Sequence, residues 1–110
     1  MNAIRKNKFN ARRVSIDGFT FDSEMESRRY GQLKMLQLGK LISDLKVHPR
    51  FSLDVNGQHV GFYIADFSYV DAGTNTTVTE DVKGNRTALY ILKKKLMKAC
   101  HGIEIREVRA

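Results

Sequence analysis

Asp66 lies inside QHVGFYIADFSYV (58–70), a largely apolar run with bulky groups at both parities. A carboxylate in such a strand is costly unless a cation or hydrogen bonds offset its charge, and a metal ion is one such cation. Further on, VTEDVK (78–83) sets Asp81 and Lys83 two apart, hence on one face of a strand, with Val82 facing away. Glu80 falls on the opposite face and is expected in solvent. If the two runs pair through the turn chemistry of DAGTNTT (71–77), Asp66, Asp81 and Lys83 converge at one end of a sheet. Two carboxylates and an ammonium suit phosphodiester hydrolysis. Oxygen ligands hold Mg²⁺, the ion polarises the phosphate and acidifies a bound water, and the lysine orients that water or offsets developing charge. Each piece alone is ordinary: a strand-end Asp caps loops, and an exposed D-x-K ion pair is worth at most about 1 kcal/mol.

These residues need elements to position them. Ser23-Glu24-Met25-Glu26 has the S-x-x-E spacing of a capping box, which predicts a helix over 24–38 with Met25, Tyr30, Leu33 and Leu36 inward and Gly39 at its end. The box accounts for Glu26 without any chemistry. Upstream, VSIDGFTF (14–21) alternates about Asp17-Gly18 and predicts a short hairpin. KLISDLKVHPRFSLDV (40–55) reads as extended, with a strand carrying Phe51, Leu53 and Val55 after Pro49. Asn56-Gly57 signals a hairpin into the 58–70 run, expected as one central strand interrupted by Asp66. The 78–83 run is a third strand, ended by Gly84-Asn85. RTALYILKKKLMKAC (86–100) predicts a basic amphipathic helix with Leu89, Leu92, Leu96 and Ala99 as its apolar stripe and Gly102 closing it. IEIREV (103–108) is the last strand. The order is helix, three strands, helix, strand, an α/β domain over 14–110 behind a basic arm, expected to be flexible, over 1–13.

The chain has 110 residues, 42% of them apolar, enough for one thin core and too few for a multidomain enzyme. Nineteen Lys and Arg against 12 Asp and Glu give a net charge of +7, which favours polyanions, nucleic acid first. No run of about 18 apolar residues spans a bilayer, and no apolar stretch follows the basic start as a signal peptide requires. One cysteine, Cys100, forms no internal disulfide and no paired metal motif, which agrees with a reducing, cytoplasmic compartment. His48, His59 and His101 lack zinc-ligand spacing.

Five segments, DGFTFDSEMESRRY, HPRFSL, YIADFSY, EDVKG and YILKKKLMKACHGIEI, carry a resemblance covering about Val14 to Val108. In element order, with an acid on the first helix, Asp on the second strand and D-x-K on the third, the chain resembles the PD-(D/E)XK nuclease core. More narrowly it is similar to a small phage and prophage family long known only as a domain of unknown function and described as similar to phage endonuclease I, a junction-resolving enzyme. The resemblance implies a restriction-endonuclease-like αβββαβ core and a Mg²⁺-dependent endonuclease, with Mn²⁺ substituting, in a bacterial or phage-infected cell. It implies Asp66 and Asp81 as principal metal ligands, Lys83 as the catalytic lysine and Glu26 as a further acid at the metal. Branched DNA such as a Holliday junction becomes the expected substrate, and symmetric cutting implies a homodimer. The residue before Pro49, commonly Gln in that family, is His48 here, a side chain able to contact phosphate or sit at the metal's edge.

DNA contacts are expected from Arg5, Lys6, Lys8, Arg12 and Arg13 on the arm, from Arg29, Arg50 and Arg86 beside the acids, and from Tyr90, Lys93 and Lys94 on the basic helix. No base-reading motif accompanies them, so phosphate contacts would position the substrate by shape. The competing reading is a non-catalytic basic nucleic-acid-binding module whose acids form ion pairs. A nuclease for nicked, flapped or plain duplex DNA is a third.

Overall fold

Residues 13–83 and 86–109 are described by a computed structural model, and they form a mixed α/β architecture. Two Asx-Gly pairs build the tight turns expected of them. Asp17-Gly18 (φ 55° and 82°) joins β1 (Val14–Ile16) to β2 (Phe19–Phe21), and Asn56-Gly57 (φ 52° and 78°) joins β4 (Arg50–Val55) to β5 (Gln58–Ile64). Positive φ at both central positions matches the twist of the flanking strands, and glycine supplies the second at no steric cost.

The first helix, α1 (Glu24–Leu38), starts where the capping box puts it: Ser23 Oγ accepts the Glu26 N–H at 3.1 Å. The other half of the box reaches one residue further back, since Glu26 Oε1 accepts the N–H of Asp22 at 2.9 Å. Tyr30 and Leu33 are buried on the inner side, in a core with Phe21, Ile42, Phe67, Tyr69 and Val78.

The central sheet has four strands in the order β3 (Ile42–Val47), β6 (Phe67–Asp71), β7 (Thr76–Val82), β8 (Arg106–Val108). The first three run antiparallel, and β8 joins β7 in parallel after the crossover helix α2 (Ala88–His101). The sheet and its helices run helix, three strands, helix, strand, but the first of those strands is β3; the strand predicted after Pro49 is β4, which lies with β5 in a hairpin inserted between the first and second strands of the sheet.

The extended run before Pro49 thus forms a strand of its own, and the single strand predicted over 58–70 is broken in two. The 40–55 run divides into β3 and β4 at His48-Pro49, and the 58–70 run divides into β5 and β6 at Ala65-Asp66. Both breaks belong to one bent ribbon. Val47 faces Phe67 and Arg50 faces Ile64 in the same register, and between them His48 N–H donates to Asp66 C=O at 2.9 Å and Ala65 N–H to Pro49 C=O at 3.0 Å. Proline has no N–H for the ladder, so the ribbon bends there and carries β4–β5 out of the sheet.

The hairpin packs on α2, with Leu53, Tyr63, Ala65, Tyr90, Met97 and Ile105 forming a second core. This corrects the predicted apolar stripe of α2. Leu89 and Leu92 are 61% and 54% exposed, while Tyr90 and Met97 are buried with Ile91, Leu96 and Cys100 beside them. The helix must cover both the hairpin and β8, and Tyr90 and Met97 are the side chains that fill that angle. Among the described residues no helix is long and apolar enough to cross a membrane.

Candidate metal centre

The ribbon's bend sets His48 opposite Asp66, and the N-terminal turn of α1 brings Glu26 to both. One ligand atom from each of the three lies within 4.8 Å of the others. Glu26 is buried, His48 and Asp66 are half-buried, and Glu24 points to solvent, which separates the two acids of that turn. His48 Nε2 stands 3.3 Å from Glu26 Oε2.

Each carboxylate is anchored by a backbone N–H. Glu26 Oε1 takes the Asp22 N–H, and Asp66 Oδ2 takes the Val82 N–H at 2.7 Å. Burial, then the hydrogen bond and charge of Glu26, push the Asp66 carboxyl up to about 8, against the opposing pull of the Val82 N–H and the Lys83 charge. A cation between the two carboxylates would oppose that rise by favouring the charged form, and two carboxylate oxygens with one imidazole nitrogen are a donor set suited to a divalent ion.

Asp81 stands behind Asp66 rather than inside the three-residue cluster. It is 1% exposed, its Oδ1 accepts the Asp66 N–H at 2.8 Å, and its Oδ2 accepts the Tyr63 hydroxyl. Burial raises its carboxyl, while Lys83 pulls it down. Lys83 follows β7, half-buried, with its ammonium 4.0 Å from the centre of the Tyr90 ring. Among the described residues it makes no ion pair, so its charge acts on Asp66 and Asp81 through space.

Glu80 was expected in solvent and is fully buried. Its oxygens accept Arg29 Nε at 2.6 Å and Nη2 at 2.9 Å, and Oε2 also accepts the Tyr69 hydroxyl at 2.7 Å. β7 is an inner strand with both faces covered, so parity along the strand does not decide exposure. Arg29, predicted to contact DNA, is half-buried: its guanidinium is the counterion of Glu80 and its Nη1 donates to Gln32 Oε1 at 3.0 Å.

The other predicted DNA contacts divide. Arg86, Tyr90 and Lys94 converge on Glu107, whose Oε2 lies 3.2, 3.0 and 3.0 Å from Arg86 Nε, the Tyr90 hydroxyl and Lys94 Nζ. Lys94 is the first cause of the lowered Glu107 carboxyl, and burial is the first cause of the raised Tyr90 phenol. Beside them a cleft of about 270 Å³ is lined by Arg86, Lys94, Lys95 and Lys98 over Ile91 and Ile105, with Glu104 at its edge. Lys93 is half-buried on the same helix. Arg50 is exposed, its guanidinium 3.9 Å from the centre of the Phe62 ring, and Arg13 lies 3.8 Å from Asp22. Arg5, Lys6, Lys8 and Arg12 lie outside the described residues.

Sequence reasoning missed Tyr63 as the partner of Asp81 and gave His48 no fixed place. A His-Pro step between two extended runs is the signal that could have marked the bend, because the ladder must break there.

Residues 6–109 match the model of the family described as "Protein of unknown function (DUF1064)", and the chain belongs to that family. No curated protein and no solved structure matches it.

Proposed function

We propose that this chain is a divalent-metal-dependent DNA endonuclease of the PD-(D/E)XK kind with a restriction-endonuclease-like core, acting on branched DNA. The observation that carries the reading is the convergence of Glu26, His48 and Asp66 at the ribbon's bend, with Asp81 hydrogen-bonded behind Asp66. The element order α1, β3, β6, β7, α2, β8, with Lys83 two residues past Asp81, supports it.

Glu26 and Asp66 would hold a Mg²⁺ or Mn²⁺ ion, which supplies the charge that polarises the scissile phosphate and acidifies the attacking water. Asp81 fixes the backbone that carries Asp66 and adds negative charge behind it. Lys83, free of an ion pair with the described residues, orients the water or offsets charge developing on the phosphate. The cleft lined by Arg86, Lys94 and Lys95 would serve as the phosphate track, and such contacts position DNA without reading its bases. Paired cuts across a junction call for a homodimer.

A gel assay with labelled four-way junction, flap, nicked and linear duplex DNA tests this reading, run with Mg²⁺, Mn²⁺ or EDTA and with Asp81→Ala alongside. Cutting that needs both the ion and Asp81, with paired symmetric nicks on the junction, is the expected result. Tight, salt-sensitive binding with no cutting under either ion would hand the protein to the non-catalytic binding reading, in which the acids serve the fold alone.

A further inference from the structure

His48 is held in place more firmly than a surface histidine would be. Its φ is 54°, the left-handed region that a residue before proline rarely enters. Its N–H is bonded to the Asp66 carbonyl, and the Phe21 ring packs 5.7 Å from its imidazole, centre to centre. The consequence is a ring whose Nε2 points at Glu26 Oε2. Glu26 and Asp66 each give one oxygen to a backbone N–H, from Asp22 and from Val82. Backbone strain, an aromatic buttress and two anchored carboxylates thus fix three donor groups before any ion arrives.

We propose that His48 is a direct ligand, through Nε2, of the ion held by Glu26 and Asp66, and that this nitrogen makes the centre select Mn²⁺ over Mg²⁺. The inference rests on the metal-centre part of the function proposed above. Mg²⁺ favours oxygen donors and keeps several of its waters, whereas first-row transition ions gain from an imidazole nitrogen. A bend lined by carboxylates alone would suit Mg²⁺; the histidine in it shifts the preference. His59 and His101 lie elsewhere: His59 on Ser52 and Asp54, His101 on the Ser52 carbonyl.

The test uses the metal-free full-length chain titrated with Mn²⁺, reading the loss of the free aquo-ion signal by electron paramagnetic resonance and nitrogen coupling by the pulsed method. Mg²⁺ affinity is read by competition. The expected result is one bound Mn²⁺ per chain with a nitrogen coupling of imidazole type, retained in His59→Gln and lost in His48→Gln. In His48→Gln the Mn²⁺ affinity should fall about tenfold or more, the range seen when a metal ligand loses its support, while Mg²⁺ affinity falls much less. Mn²⁺ bound without nitrogen coupling, or an unchanged Mn²⁺ to Mg²⁺ ratio in the variant, overturns the role of His48 and leaves the carboxylate centre standing. Absence of Mn²⁺ binding, or binding undiminished in Asp66→Asn, overturns the centre itself. The wild-type spectrum carries the test even if His48→Gln fails to fold.

Discussion

Glu80 and Asp81 are consecutive on β7, both are removed from solvent, and their surroundings differ in what opposes the charge. Glu80 has a guanidinium on both oxygens and a tyrosine hydroxyl besides, a closed arrangement with every partner supplied by the chain. Asp81 and its neighbour Asp66 have backbone N–H groups and one tyrosine but no ion pair among the described residues, and the carboxyl of Glu26 stands against that of Asp66. The first cluster is finished as a piece of structure. The second crowds carboxyls at a half-exposed bend so that Asp66 holds its proton up to about pH 8, and an added cation would take that proton's place. Buried acid is therefore not itself the mark of a site; unopposed buried acid is.

The largest expected effect is on the open cluster. Asp66→Asn should cut DNA cleavage on the order of 10³-fold, about 4 kcal/mol, the scale of a metal's Lewis acidity. Single-turnover kinetics measure it, and a loss below tenfold would erase the distinction between the clusters. Next, Arg29→Leu should lower stability by about 3–5 kcal/mol, since it strands Glu80 inside the protein. Replacing both residues by methionine should recover most of that loss in urea unfolding. A single variant as stable as the wild type would show that Glu80 needs no counterion.

A third contrast is in pH. The folded-state carboxyl of Asp66, at about 8, lies above its ordinary 3.8, so the folded chain holds a proton that the unfolded chain has released. The contribution of Asp66 is fully present below about pH 4 and is lost as pH rises toward 8; Asp81, raised by burial, adds in the same sense. In EDTA the melting temperature should therefore fall between pH 6 and pH 8.5. Saturating Mg²⁺ or Mn²⁺ should flatten the fall, and Asp66→Asn should lessen it without metal. A melting temperature rising over that range in EDTA would contradict the assignment. The smallest effect belongs to the α2 cleft: Lys95→Ala should weaken DNA binding evenly across sequences and reduce the salt slope by about one. A change confined to one sequence would argue for base contact instead.

The local signals were legible. Asp17-Gly18, Asn56-Gly57 and Ser23-x-x-Glu26 each act within a few residues, and each produced the turn or cap its chemistry demands. Asp66 announced itself because an acid in an apolar run requires an explanation, and D-x-K marked the neighbouring strand. What stayed hidden were partners far apart in sequence. Arg29 meets Glu80, and Tyr63 meets Asp81, only after α1 and the hairpin have packed. Face parity failed at Glu80 because β7 is covered on both sides. The face of α2 was misjudged because two elements press on it, and a single stripe of leucines cannot describe a helix packed in an angle.

The proposed chemistry turns on a cation at the bend of the ribbon. A crystal grown with Mn²⁺ and recorded at the manganese edge tests it most directly. One anomalous peak bonded to Glu26 and Asp66 is expected, with none beside Glu80. A peak elsewhere, or an empty bend at saturating Mn²⁺, would contradict it.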